Sequence, residues 1–258
     1  MTFQTVILLS LIQGITEFLP ISSSAHLMLF PILFDIKDQG IIADLFAHIG
    51  SLLAVMFYYR KDIKDIIISL FNKKYDRSMF YNLFIATIPI VIIGIIFVLF
   101  KIKFRDPRIV IYTSLIFGTI FFLADKFGKK DLTIKKLSLR DAFLIGSAQT
   151  FASIPGSSRS GTTLTCALML GYKRQDALKF SFLLSIPTII LVGLGGILKF
   201  ALNPETINIY PLILISIFSF IFSLISIRFI MFWLKHLSFK PFAIYRIILG
   251  IILYLYLK

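Results

Sequence analysis

The sequence predicts an all-α polytopic membrane protein with six transmembrane helices and two re-entrant helix hairpins arranged as inverted repeats. Three observations lead there. Of 258 residues, 58% are hydrophobic and only 16% charged, and the mean hydropathy is +0.91, more apolar surface than a soluble domain can hide. Apolar runs of about 17 to 25 residues, long enough to cross a bilayer as helix, recur along the chain with the charges confined between them. Two of the apolar stretches are broken by Pro, Gly and polar residues, which cannot face lipid.

Taken in order, the first interrupted stretch covers 3–33 and carries Gln13, Gly14, Glu17, Pro20, Ser22, Ser23, Ser24 and His26. Uninterrupted spans follow at 41–58, 82–100 and 109–124. The second interrupted stretch, 142–171, carries Gln149, Pro155, Gly156, Ser157, Ser158, Arg159, Ser160 and Gly161, and spans at 178–198, 209–232 and 241–257 complete the chain. Non-helical backbone at membrane depth survives only when buried in protein or lining a wet cavity, so both interrupted stretches are expected to be helix–loop–helix hairpins.

The order is therefore hairpin, three spans, hairpin, three spans within one membrane domain over 1–258. An odd number of spans per unit makes units of about 1–125 and 126–258 enter from opposite sides. The segments QGITEFLPISSS and QTFASIPGSSRS share a Gln, a later Pro and a Ser cluster. With both termini outside, the inner loops hold Arg60, Lys61, Lys64, Lys73, Lys74, Arg77, Lys126, Lys129, Lys130, Lys135, Lys136, Arg140, Lys173, Arg174, Lys179, Lys235 and Lys240. The outer loops keep Lys37, Lys101, Lys103, Arg105, Arg108 and Lys199, nearly three times fewer, as the positive-inside bias requires.

That bias also accounts for the net charge of +14. No soluble basic domain is left to dock nucleic acid. The single cysteine, Cys166, lies in an apolar stretch and reads as a packing residue. The N-terminus lacks a basic n-region and a small-residue cleavage site, so the first apolar stretch is expected in the mature protein.

Ionisable groups at membrane depth cost several kcal/mol unless paired or hydrated, which makes each one a functional candidate. They are Glu17, His26, His48 and Arg159; Arg228 and Arg246 are expected to snorkel towards span ends. Gln13 and Glu17, four apart, share a helix face. Their oxygens suit a hard divalent cation, Mg²⁺ or Ca²⁺, and Glu17 could instead pair with Arg159. Ser22, Ser23 and Ser24 supply hydroxyl or amide donors, or a nucleophile beside a base. His26, three residues after Ser23, could activate it or protonate a leaving group. In PGSSRSGTT, Gly156, Ser157, Ser158, Ser160 and Thr162 build an anion cradle at a helix start, and Arg159 adds a phosphate-matching fork. GSSRSGTT lacks the Lys and preceding strand of a nucleotide P-loop.

The residues QGITEFLPISSSAHL (13–27), HIGSLLAV (48–55), PGSSRSGTT (155–163), FSFLLSIP (180–187) and PFAIYRIILG (241–250) resemble the undecaprenyl-diphosphate phosphatase family, also called the bacitracin-resistance protein family, almost end to end. Gln13 stands where many members have Glu, and Ala25 replaces a common Gly. The resemblance implies hydrolysis of undecaprenyl diphosphate to the monophosphate carrier reused in peptidoglycan synthesis, bacitracin resistance, dependence on a divalent cation, and a site opening to the outer face of the bacterial plasma membrane. It carries functional roles to Glu17, Ser23, His26 and Arg159. Ser23 is the expected nucleophile and His26 the acid/base or itself the nucleophile; Glu17 would bind metal and Arg159 hold the diphosphate. The partner implied is a polyisoprenyl diphosphate lipid, and a homodimer is left open. The competing expectation is a lipid-phosphate transporter or flippase of the same architecture. The mixed Glu, His, Ser and Arg set separates the two, since a carrier of neutral solute has no use for it.

Overall fold

The computed structural model describes residues 1–34, 36, 38–72, 74–102, 104, 106–202 and 208–256, side chains of 197–202 excepted. Lys37, Lys73, Lys103, Arg105 and the side chain of Lys199, which enter the loop-charge comparison, lie outside the described residues, as does position 257 of the last expected span.

Pro and Gly decide where the membrane-depth helices stop. Helix α1, Phe3–Thr16, starts on the Thr2 cap and ends at Glu17, because Pro20 has no N–H to continue it and disfavours helix just before itself. The chain turns through 17–22, and α2 runs Ser23–Phe34. The second break repeats this: α7, Leu139–Gln149, is capped by Ser138, a 3₁₀ turn covers Thr150–Ser153, Pro155-Gly156 follows, and α8 runs Arg159–Met169. With 14, 12, 11 and 11 residues, each helix reaches only about 16–21 Å at 1.5 Å per residue. None crosses the roughly 30 Å hydrocarbon core alone, and the pairs α1–α2 and α7–α8 pack together as re-entrant hairpins.

Five helices are long and apolar enough to cross: α3 (Gly40–Tyr58), α5 (Ser78–Leu99), α6 (Arg108–Phe127), α9 (Arg174–Leu202) and α10 (Ile209–Trp233). The expected sixth span is α11, Lys240–Tyr256, of 17 residues. It opens on Lys240, carries Arg246 at mid-length and lies along α6. The charged connection after α3 forms a helix the sequence reading left as loop, α4 (Arg60–Phe71), with apolar Ile residues on one side. An ion pair between Asp62 and Lys179 latches α4 to α9.

Each hairpin packs against the other half of the chain: α1 on α10, and α7 on α5. Helices α3 and α9 meet, as do α6 and α11. Glycine permits close helix crossings. A Cβ at Gly146 would stand 2.1 Å from the Ala86 carbonyl oxygen, one at Gly50 2.2 Å from the Ser216 carbonyl oxygen, and one at Gly14 2.5 Å from Phe222 Cβ. Such small-residue contacts drive helix association where lipid competes for every apolar face. Asp125, buried in α6, accepts from Arg174 at 2.6 Å and from the Phe239 amide at 3.1 Å, tying α6, α9 and the approach to α11.

Gly146→Ala is expected to destabilise by about 1–3 kcal/mol, since backbone must shift to admit the methyl. Gly94→Ala, where a Cβ meets open space, is expected to be neutral or to stabilise by up to about 1 kcal/mol. Thermal unfolding of the detergent-purified variants measures both.

Candidate active site

The two breaks meet. Glu17, 7% exposed, accepts from Arg159 Nη2 through Oε1 at 2.8 Å and from Ser23 Oγ through Oε2 at 2.6 Å. Gln13 Nε2 donates to the same Oε2 at 3.1 Å, and His48 Nε2 lies 3.7 Å from it. Arg159 is steadied by the Ser181 carbonyl, an acceptor for Nη1 at 3.2 Å. One carboxylate thus collects a guanidinium, a hydroxyl and an amide, the kind of compensation that lets charge persist at membrane depth.

The loops entering α2 and α8 are built alike. Aligned on Gln13 and Gln149, Ser22 falls on Ser158, and these residues have φ of 75° and 69°. A non-glycine residue with positive φ costs on the order of 1–3 kcal/mol and concentrates at functional sites. Ser158 Oγ accepts from the Gly161 amide at 3.1 Å and meets Ser160 Oγ at 3.3 Å. Ser22 Oγ accepts from the Ala25 amide at 3.4 Å and meets Ser24 Oγ at 3.2 Å. The amides of Ser22, Ser23 and Ser24, and of Ser158, Arg159 and Ser160, have no acceptor among the described residues. Two helix N-termini therefore present free N–H groups and positive dipole ends to one place.

That place is a cavity of about 200 Å³ lined by Ser22, Ser23, Ser24, Glu17, His48, Ser158, Arg159 and Ser160. It adjoins an apolar groove of about 460 Å³ between α5 and α9, lined by Ile90, Val91, Gly94, Ile95, Val98, Leu191, Val192 and Gly195. Ile90, Ser153, Thr188 and Val192 belong to both, so polar pocket and apolar groove are continuous.

Among the residues anticipated from sequence, Glu17, Ser23, Arg159, Ser22, Ser24, Ser158 and Ser160 line the cavity. Gln13 touches Glu17 from behind and is fully buried. Gly156, Ser157 and Thr162 sit outside the lining: Ser157 Oγ donates to the Phe151 and Ile154 carbonyls at 2.6 and 2.7 Å, and Thr162 Oγ1 to the Arg159 carbonyl at 3.0 Å. Those hydroxyls hold the loop's shape. His26 also lies outside the lining, with Nδ1 2.7 Å from the Ser22 carbonyl and Nε2 2.7 Å from Tyr245 Oη; the histidine in the cavity wall is His48. Arg246 does not snorkel. It is 0% exposed and donates through Nη2 to the Gly156 and Ser157 carbonyls at 2.9 and 2.8 Å. Sequence reasoning had no signal for Ser51, which accepts from Gln13 Nε2 at 3.4 Å, or for Ser181, since both act on neighbours remote in the chain, whereas the charge of Arg246 in an apolar run was a signal read the other way.

Fold and site define a class: integral membrane proteins with a polar pocket, bearing a carboxylate and a guanidinium, between two broken helices. A family model described as Bacitracin resistance protein BacA matches residues 6–252, and the chain belongs to that family. The undecaprenyl-diphosphatase of Marinobacter nauticus is 38% identical over 253 residues, 95% of this chain and 96% of its own length. That of Alteromonas mediterranea is 40% identical over 260 residues, 98% of each chain. That of Teredinibacter turnerae is 40% identical over 257 residues, 97% of each chain.

Removing one member of the Glu17–Arg159 pair strands the other. Arg159→Gln is expected to cost on the order of 2 kcal/mol, below the 3–5 of a dry pair because the cavity admits water. Adding Glu17→Gln to it should recover most of that loss, as a double-mutant cycle of unfolding free energies would measure.

Proposed function

We propose that this chain hydrolyses undecaprenyl diphosphate to undecaprenyl phosphate and inorganic phosphate, returning the lipid carrier to peptidoglycan synthesis. The observation that carries this reading is the continuity between an anion-binding pocket and an apolar groove, which fits a diphosphate head on a long isoprenoid tail. The near-full-length similarity to undecaprenyl-diphosphatases supports it. Bacitracin resistance follows, because that antibiotic sequesters the same substrate.

The diphosphate enters between the two helix N-termini, its charge met by Arg159 and by the free amides of Ser22–Ser24 and Ser158–Ser160. Ser23 Oγ, already donating to Glu17, attacks the terminal phosphorus while Glu17 takes its proton. The bond from that phosphorus to the bridging oxygen breaks, and undecaprenyl phosphate leaves. Water then releases inorganic phosphate from Ser23, the proton returning through Glu17. Arg159 and the amides, fixed before substrate arrives, neutralise the negative charge on the transferring group and on the leaving phosphate. His48, 26% exposed in the cavity wall, is placed to exchange protons with Glu17.

A hard divalent cation fits the oxygen donors. Gln13 Oε1 is buried without a partner, and exchanging the two ends of that amide adds an oxygen beside Glu17 and Ser23. Among the described residues no three His, Cys, Asp or Glu cluster as a self-sufficient cage, so substrate phosphate oxygens would have to complete the coordination. Bound there by Gln13, Glu17 and Ser23, Mg²⁺ or Ca²⁺ would supply positive charge to the phosphate oxygens.

We read the halves 1–125 and 126–258 as inverted repeats, supported by the matched Ser22 and Ser158 loops and the reciprocal packing of α1 on α10 and α7 on α5. The groove, lined by Val98, Leu99 and Gly195, runs towards the ends of α5 and α9 on the side whose loops together carry fewer cations. With positive charge inside, the site then opens to the outer face of the plasma membrane.

Phosphate release from C55 or C15 isoprenoid diphosphate by purified protein tests the reading. Chelation is expected to stop it, and Glu17→Ala, Ser23→Ala and Arg159→Ala each to lower kcat by at least about 10²-fold. Retention of a substantial fraction of activity by both Ser23→Ala and His26→Ala would exclude a covalent route in favour of direct attack by water. Gly94→Trp, which fills the groove from a position open to it, is expected to raise KM for the C55 substrate by about tenfold or more while sparing a C5 diphosphate.

A further inference from the structure

The segment PFAIYRIILG on α11 contributes no atom to the cavity lining, yet two adjacent residues in it reach both loops that do. Arg246 is fully buried, and its ordered contacts are the carbonyls of Gly156 and Ser157, while Nε and Nη1 have no partner. No carboxylate lies within ion-pairing distance of it among the described residues. A buried guanidinium without a counter-ion is a costly way to fasten a loop if fastening alone were needed. Tyr245 meets His26 twice over, with the rings stacked at 5.8 Å and 10° and Oη 2.7 Å from Nε2. The other ring nitrogen, Nδ1, lies 2.7 Å from the Ser22 carbonyl, and since a carbonyl can only accept, Nδ1 carries the proton and Tyr245 donates to Nε2.

The carbonyls held in this way flank matched residues, one just after Ser22 and one just before Ser158. Ser22 and Ser158 are the two positive-φ residues that open α2 and α8. In a trans peptide the N–H points opposite to the C=O of the same unit. Drawing the Ser157 carbonyl towards α11 turns the Ser158 N–H the other way, and drawing the Ser22 carbonyl turns the Ser23 N–H likewise. Ser23 and Ser158 line the cavity, and neither amide has an acceptor among the described residues.

We propose that Tyr245 and Arg246 are the positioning residues of the phosphatase site, together setting the orientation of the Ser22–Ser23 and Ser157–Ser158 peptides so that both N–H groups face the transferring phosphate. Arg246 does this directly, and Tyr245 does it through His26. This rests on the phosphatase reading above. It assigns a task to the Tyr-Arg pair, to the unpaired buried charge of Arg246 and to the placement of His26 beside the pocket. Donors oriented in advance stabilise charge that develops in the transition state, so their loss should fall on kcat and leave substrate binding by Arg159 and the groove in place.

Tyr245→Phe keeps the ring stack and removes the hydroxyl; Arg246→Lys keeps the charge and removes the fork that spans two carbonyls. Measured on the full-length purified protein with C15 diphosphate, each is expected to lower kcat by about tenfold or more with KM within about threefold. The apparent affinity for inorganic phosphate, as a product inhibitor, should weaken in parallel. The double variant should show close to the product of the two losses, because the arms act on separate loops. Unfolding temperatures should stay within about 5 °C of wild type. Wild-type kcat in both single variants would overturn the proposal, as would losses that track unfolding temperature and vanish when the assay is cooled. Should Arg246→Lys fail to fold, Tyr245→Phe decides alone, by the same kcat and phosphate-inhibition outcomes. Absence of phosphate release by wild type would overturn the phosphatase reading first, and this proposal with it.

Discussion

Glu17 and Arg159 meet at 2.8 Å across 142 positions of sequence, and most of the interior is arranged so that this contact can exist. Either charge alone at membrane depth would cost several kcal/mol. Together they still need further partners, because an ion pair in a poorly hydrated setting recovers its desolvation only when the remaining donors and acceptors are satisfied. Ser23, Gln13 and His48 meet the carboxylate, and the Ser181 carbonyl meets the guanidinium. Those groups come from α1, α2, α3, α8 and α9, so one pair holds five helices in register.

The same constraint explains why both hairpins break where they do. An unbroken helix would bury its own amides and leave nothing to hold an anion. Stopping α1 near Pro20 and α7 before Pro155 frees the first-turn amides of the helices that follow, at the cost of positive φ at Ser22 and Ser158. Backbone strain of this kind persists where surrounding contacts over-determine it. Here they do: hydroxyl caps inside each loop, the Gly156 site wedged against Thr113 and Val110, and α11 from outside.

Division of labour follows from distance. Groups within the cavity are the ones proposed to handle phosphate and proton, whereas Ser157, Thr162 and Arg246 bond to the backbone of the loop that carries some of them. The apolar groove between α5 and α9 has a different physical task, since an isoprenoid chain gains little by leaving lipid for protein. In the proposed function its value is in register: a tail lying in the groove would place the diphosphate at Arg159.

Much of this was legible in the residues. Hydropathy sets the spans, since about 30 Å of hydrocarbon demands long apolar helices, and Pro, Gly and Ser clusters mark the breaks because membrane backbone must be satisfied internally. Glu17, Ser23 and Arg159 stand out for the same reason, being polar where polarity is expensive. What the residues alone could not decide is which way side chains turn and which distant backbone they meet. Sequence proximity made His26 the natural partner of Ser23, but one helical turn of α2 carries its ring to Tyr245, and His48 from another helix takes the place beside Glu17. Arg246 looked free to reach the membrane surface, yet its packing beside Gly118 and Gly161 directs it inward. Composition and pattern therefore determined that this is a membrane protein with two polar breaks and the chemistry they carry. Tertiary structure decided which groups share the cavity and which brace it, because those assignments depend on contacts between segments that local periodicity does not encode.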